Sequence, residues 1–316
     1  FELINNYFSK IAKKNKSALN LNDDVFFDKK RAVVISVDTY NIGTHFLNFK
    51  SPDLVIKKIL RSSISDLICK GVKPKFYFIS GSGNKKTFTK NNLLRISKSL
   101  VSEQNKFDIS LSGGDTTFSN KLSFTITSIG YSNKIIFRNN AKSNDDIYVT
   151  GNLGDSYIGF KILSKKFKVN KKDKIFFIQK YYKPDIQIKL AKYLLRFANT
   201  SIDISDGLFA DLDKLINKQK LFYKIRLTDV PISKKLKDII LKKKLKKIDF
   251  ISKGDDYQIL FTASKKKARI IKRTFKSLGI KISKIGKICS SNQKSQIIDE
   301  KGNKITIKNK GYLHKF

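Results

Sequence analysis

Neither tryptophan nor methionine occurs in this sequence, and cysteine and histidine occur only twice each. Cys69 and Cys289 give no disulfide framework, and with His45 and His314 they make no Cys/His metal cluster. No apolar run approaches the roughly 18–20 residues of a membrane-spanning helix. The N-terminal stretch lacks the apolar core of a signal peptide, and the missing methionine leads us to expect a native start upstream of Phe1. These features together read as cytoplasmic. Glutamate is nearly absent, with Glu2, Glu103 and Glu300 standing against 23 aspartates. Arginine is scarce too, at eight residues against 58 lysines.

The scarcity of arginine bears on function. A net charge of +40 invites a nucleic-acid reading. Arginine, however, is the preferred reader of phosphates and base edges, and here the basic residues are lysines spread along the whole chain. With abundant Asn, Ile and Phe, the composition fits a drift towards AT-rich codons, and nucleic-acid binding is not expected as the main function. Several catalytic signatures are missing as well. There is no nucleophile elbow and no protein-kinase signature set. "GSGNKKT" (81–87) misses the P-loop spacing and reads as a surface loop. We find no internal repeat.

What is present is α/β (α+β) alternation on a scale of two domains, over 316 residues. Strands are expected at 31–38, ending in Asp38, at 75–80, at 107–115 running into a glycine turn, and at 121–130, where Leu122, Phe124 and Ile126 alternate with polar residues. "SPDLVIKKILRSSISDLICKG" (51–71) reads as a helix capped by Ser51, started by Pro52 and ended by Gly71. Its apolar face is Val55, Ile59, Leu60, Ile64, Leu67 and Ile68. A second helix spans 89–105. The polar stretch "RNNAKSNDD" (138–146) suggests a boundary, giving domains 1–137 and 138–316. In the second domain, strands are expected at 146–151, 200–204, 257–262 and 280–286. Helices are expected at 155–164, 185–197, from about 207, and at 264–278. Lys-rich 234–247 reads as a solvated basic helix or connection. At the N-terminus, Phe1, Ile4, Phe8, Ile11 and Ala12 share one helical face. A transit peptide or membrane-surface anchor has this pattern, but a domain helix covering a core is the reading we adopt.

The aspartates cluster. "NDD" (22–24), "SVDTY" (36–40), "SISDL" (63–67), "SGGDTT" (112–117) and "DISDG" (203–207) each set Asp where an apolar element meets small residues. Singly, each has a structural explanation such as helix capping. Jointly they fit Mg²⁺, which prefers oxygen ligands and keeps water and phosphates in its shell. Gly113 and Gly114 allow close backbone approach to a phosphate. A nucleotide lying beside five carboxylates needs cations between, so Mg²⁺ with ATP and phosphoryl transfer follow as the expected chemistry. Asp211 and Asp213 are expected on the helix surface or as local partners of lysine.

The ordered set "FELI…YF", "NDD", "ISVDT", "GTHF", "SISDLICKGVKP", "SGGDTT", "R…AK…D.IYVTG.LGDS..G", "SIDISDGL..DL", "KGDDYQILFT" and "KGYLHKF" resembles the thiamine-monophosphate kinase family, of the superfamily that includes aminoimidazole ribonucleotide synthetase and selenophosphate synthetase. The motifs run from residue 1 to about 263 and resume at the C-terminus, while 160–183, 213–252 and 264–310 match weakly. The resemblance implies direct transfer of the γ-phosphoryl group of ATP to thiamine monophosphate, giving thiamine diphosphate. It also implies nucleotide held between an N-terminal mixed-sheet domain and a sandwich-like C-terminal α/β domain. A homodimer whose N-terminal strands build a shared barrel is implied too.

Carried onto this chain, Asp24, Asp38, Asp66, Asp115, Asp203 and Asp206 match metal-binding carboxylates, with Ser36 and Val37 at neighbouring metal contacts; Asp38, Asp115 and Asp206 are the catalytic set. Gly114, Asp115, Arg138 and Ser205 match nucleotide contacts. His45, Asp255 and Tyr312 match positions that hold thiamine phosphate. Structural alternatives stay open: His45 as a packed core residue, Tyr312 as a tail anchor, Arg138 as a boundary ion pair, Asp206 as a helix cap. The chain departs from the family at Val37 for Thr, at Asn22 for Gly, and at Asp255 for Glu. It also lacks an Arg in "YKPD" (182–185). Two rival functions remain: a sister ATP-dependent synthetase with another acceptor, and a basic RNA- or anion-binding protein.

Overall fold

Two units divide the chain, Phe1–Ile135 and Ile136–Phe316. The structure is a computed structural model that describes residues 4–290, 294–307 and 309–312, and only the backbone of Asn5. Phe1, Glu2 and Leu3 of the N-terminal motif and Leu313–Phe316 of the terminal motif lie outside the described residues.

In the first unit, a helical turn at Ile4–Phe8 leads into the short helix α1 (Ser9–Ala12). This segment does not cover a core: Ile4, Phe8 and Ile11 are 38%, 55% and 79% exposed. Two short turns are too little helix to seat an apolar stripe. Then follow β1 (Phe26–Asp28), β2 (Val33–Asn41), α2 (Pro52–Cys69), β3 (Pro74–Gly83), α3 (Lys90–Phe107), β4 (Ser110–Phe118) and β5 (Ser123–Tyr131). They form a sheet in the order β1-β2-β5-β3-β4, with β3 and β4 parallel across the α3 crossover.

All six apolar-face residues of α2 are fully buried. Pro52 starts the helix, but the Ser51 side chain makes no capping bond. Along β5, Phe124, Ile126 and Ser128 are buried while their neighbours are half-buried, so one face of the sheet is covered. Ser63 of α2 and Ser128 of β5, hydrogen-bonded at 2.9 Å, mark the covered face. Arg61 of α2 clasps Glu103 of α3 through two bonds of 2.7 and 3.0 Å, both side chains buried.

β4 does not turn at its glycines as expected. It continues to Phe118, because a Cβ at Gly114 would stand 1.8 Å from the Ile79 carbonyl oxygen. Glycine here permits strand contact and not a turn.

The second unit contains β6 (Asp146–Thr150), α4 (Asp155–Leu163), α5 (Lys171–Tyr182), α6 (Ala191–Leu194), β7 (Thr200–Asp203), α7 (Leu208–Leu215) and β8 (Phe222–Arg226). Then come α8 (Lys234–Lys243), α9 (Ile248–Ile251), β9 (Ile259–Ala263), α10 (Ala268–Leu278), β10 (Ile282–Cys289), β11 (Gln296–Ile298) and β12 (Lys304–Ile305). Its sheet runs β12-β11-β8-β10-β6-β9-β7. Every residue of β6, β7 and β9 is buried, as expected for strands covered on both faces. On one face, Leu208, Phe209, Leu212 and Leu215 of α7 pack with Ile147, Val149, Ile202 and Leu260. On the other, Tyr148 stacks on Phe261, and Phe261 on Phe275 of α10. The helix expected at 185–197 shrinks to a 3-10 turn at Ile188–Leu190 and α6. Gln187 and Gln258 side chains both donate to the Asp185 carbonyl, at 3.2 and 3.1 Å, and hold the chain after Pro184 in a loop.

Candidate active site residues

In the first unit, β2 presents Ser36 and Asp38 to the face covered by α2. Ser36 Oγ donates to Asp66 Oδ2 at 2.5 Å, and Tyr40 Oη donates to Asp38 Oδ2 at 3.3 Å. Burial pushes the Asp38 carboxyl up to about 6, against hydrogen bonds with Tyr40, Asp66 and Ser63 that lower it. Ser36, Asp38 and Asp66 are therefore one cluster. All its donors are oxygens, two of them carboxylates, which fits a hard cation that completes its shell with water or phosphate. Val37, the intervening residue, points the other way and is 61% exposed.

Asp24 belongs to a different arrangement. Lys70, which follows α2, lies 2.6 Å from Asp23 Oδ1 and 3.0 Å from Asp24 Oδ2, and its side chain is fully buried. Burial works against the ammonium, but Asp23, Cys69 and Asp66 outweigh it and hold the Lys70 pKa above the ordinary lysine value. Nothing local in the sequence distinguishes Lys70 from the other lysines.

Asp115 stands apart from the Asp38 cluster within this unit. One cross-strand row runs Asp38–Ile126–Ile79–Gly114, and the next runs Thr39–Thr125–Ser80–Asp115. Neighbouring rows point to opposite faces, and two strands, about 14 Å of sheet, separate β2 from β4. Asp115 is exposed, with Oδ1 accepting from Thr116 N at 2.7 Å. Among the described residues, no group of three or more His, Cys, Asp and Glu is set to hold a metal ion. His45 is half-buried in the turn after β2, edge-on to Tyr40 at 5.6 Å, and not a core residue. Its Nδ1 accepts from Asn41 N at 2.9 Å, so in the neutral ring Nε2 carries the proton.

In the second unit, three segments converge. Asp203 ends β7, and Ser205 and Asp206 follow in the loop to α7. The Lys253–Gln258 segment runs alongside: Asp255 N donates to Ser205 O and Tyr257 N to Ile204 O, both at 2.8 Å. Gly254 makes this contact possible, since at φ +75° a Cβ would lie 2.1 Å from Ser205 O. Asp255 and Tyr257 have φ of 62° and 50°, a left-handed backbone that costs non-glycine residues about 1–3 kcal/mol each. The third segment is the C-terminal tail, where Tyr312 N donates to Asp206 O at 2.9 Å. Tyr312 is 46% exposed. Arg138 is buried near the start of this unit.

Asp211 has the local lysine partner expected of it, Lys214, but not a place on the helix surface. It is fully buried, and its Oδ2 accepts from the N–H groups of Asp206 and Gly207 at 2.9 and 3.0 Å. Lys214 lies 2.9 Å from Asp211 Oδ1 and also pairs with Asp206. Asp213 accepts from Tyr223 Oη at 2.9 Å and pairs at 2.7 Å with Lys310, a lysine 97 positions along the chain and not a local one. Sequence reasoning missed Asp256 as well: buried, and pushed well above the usual carboxylate range by that burial, it accepts from Gly154 N at 2.8 Å ahead of α4. The one available signal was Asp spacing, and a buried organiser shares that spacing with a solvated residue.

Comparison with known proteins places this chain. Residues 20–132 match the family described as AIR synthase related protein, N-terminal domain. Thiamine-monophosphate kinase of Buchnera aphidicola subsp. Schizaphis graminum is 35% identical, over 99% of this chain and 98% of that one. The Haemophilus influenzae thiamine-monophosphate kinase is 32% identical, over 91% and 88%. AaThiL, solved in complex with AMPPCP and TMP, has the same fold, with a TM-score of 0.83 at 24% identity, covering 99% of this chain and 98% of that one. With identity of 35% sustained over 99% of its residues, the chain belongs to the thiamine-monophosphate kinase family.

Proposed function

We propose that this protein transfers the γ-phosphoryl group of ATP directly to the phosphate of thiamine monophosphate, releasing ADP and thiamine diphosphate. A substrate phosphate oxygen forms the new P–O bond as the bond to the β-phosphate oxygen breaks. The observation that carries the reading is the convergence of the "DISDG" loop, the "KGDD" segment and the Tyr312 tail, joined by main-chain bonds of 2.8 and 2.9 Å, in a member of this kinase family.

In this reading Mg²⁺ is held by Asp38 and Asp66 with Ser36, by Asp115, and by Asp203 and Asp206. When bound, it supplies charge neutralisation for the polyphosphate. Asp24 is left out of that set because its carboxylate is paired with Lys70. Gly114 and Ser205 contact the nucleotide, and Arg138 a phosphate. His45, through Nε2–H, Asp255 and Tyr312 orient thiamine monophosphate. A homodimer is supported by the β4 edge, exposed along its whole length with Leu111 at 45% and Phe118 at 78%. The two free, buried cysteines suit the cytoplasm.

The test is to incubate the purified protein with ATP, Mg²⁺ and thiamine monophosphate and to quantify thiamine diphosphate by chromatography. Product that requires both enzyme and Mg²⁺, and that is lost in Asp206→Asn with the fold intact, is the expected result. ATP binding without product would move the assignment to another phosphate acceptor.

A further inference from the structure

We propose that Lys70 is a built-in cation: its ammonium occupies the place a divalent ion would take at the Asp23/Asp24 carboxylate pair, so that this pair binds no metal. The inference rests on the reading that the neighbouring carboxylates bind Mg²⁺, and it changes the cation count of that reading.

Three observations carry it. First, the ammonium lies 2.6 and 3.0 Å from one oxygen of each aspartate, which puts one positive charge between two negative ones. Second, the group is enclosed: the Lys70 side chain is 0% exposed, with Asp23 and Asp24 at 5% and 15%. Third, the backbone gives it no freedom to withdraw. Lys70 closes α2, Gly71 turns at φ +81°, and Val72 N donates back to Leu67 O at 2.9 Å, all beside fully buried Leu67 and Ile68. A cation at a helix C-terminus is also favoured by the helix dipole. Mg²⁺ takes oxygen ligands at about 2.0–2.1 Å, a shell that a lysine nitrogen at hydrogen-bond distance from the same oxygens obstructs by volume and by like charge. Lys214 is different in kind. Its side chain is 23% exposed, so it can leave Asp206 when a metal arrives.

The test counts bound Mn²⁺ by electron paramagnetic resonance on the full chain with a non-hydrolysable ATP analogue, for the wild type, Asp24→Asn and Lys70→Met. The expected result is equal Mn²⁺ stoichiometry for the wild type and Asp24→Asn, and one additional ion in Lys70→Met. Loss of one Mn²⁺ in Asp24→Asn overturns the proposal. So does an unchanged count in Lys70→Met that still melts cooperatively. If Lys70→Met does not fold, the Asp24→Asn count decides alone. A wild-type chain that binds no Mn²⁺ would refute the proposed metal requirement, while a one-ion gain in Lys70→Met would still support the built-in cation.

Discussion

The fully buried carboxylate of Asp211 holds the backbone N–H of Asp206 at 2.9 Å, and so sets the loop on which Asp206 is presented. Asp211→Ala should orphan two N–H groups and leave Lys214 with one partner, costing about 3 kcal/mol. Asp211→Asn, which keeps one acceptor oxygen, should recover part of that loss. Chemical denaturation of both variants checks the order, and phosphoryl-transfer rates should fall in parallel.

Lys214 pairs with the same Asp206 from a partly exposed position. A pair of this exposure contributes about 1 kcal/mol or less, so Lys214→Met should tighten divalent-cation binding at Asp206 by up to about fivefold. The Mg²⁺ dependence of activity and a Mn²⁺ titration both report it. Weaker cation binding in the variant would show that Lys214 supports the site and does not compete for it.

Gly254→Ala would drive a Cβ to 2.1 Å from Ser205 O at a left-handed backbone position. The "DISDG" and "KGDD" segments must then separate, at a cost of about 2–3 kcal/mol. A drop in Tm of about 5–10 °C together with a raised KM for thiamine monophosphate is expected. A change at Gly302, where a Cβ meets nothing within 4 Å, should leave KM unaltered.

Asp155 gives a pH-dependent signature. Burial pushes it up to about 6 from 3.8, although Ser233 and Lys180 pull it down. Between pH 3.8 and 6 the folded state keeps the proton that the unfolded state has lost. Asp155 therefore subtracts stability as pH rises through that window, by about 3 kcal/mol once the pH is above 6. Asp155→Asn should remove this slope. Melting curves of the two proteins, compared from pH 4 to 7, should diverge through the window and run parallel above it.

Where apolar spacing was regular, sequence and structure agree. The six-residue face of α2 is buried as a set, and β5 alternates as its pattern requires. Where a short range of sequence had to decide between two contexts, the expectation failed. Gly113–Gly114 reads as a turn until the strand beside it is known, because it is neighbouring β3 that crowds both positions: the Phe78 ring 3.0 Å from a Cβ at Gly113 and the Ile79 carbonyl 1.8 Å from one at Gly114. The N-terminal apolar face reads as core-covering because periodicity records which residues share a side, not whether a partner surface exists. Of the candidate site, Ser36, Asp38 and Asp66 come together, and so do Asp203, Ser205, Asp206, Asp255 and Tyr312. Asp115 does not join the first group within its unit.

The sequence by itself determined the α/β class, the family, and the stretches where aspartate meets small residues, since periodicity and motif order are local properties of a chain. Tertiary structure alone decided what surrounds each carboxylate. Lys70 meets Asp24 across 46 positions, Ser36 meets Asp66 across 30, and Asp255 meets Ser205 across 50. A lysine among 58 carries no mark of its burial. The charge state and ligand capacity of an aspartate depend on solvent exclusion and on counter-charges a few ångströms away, and folding alone supplies both.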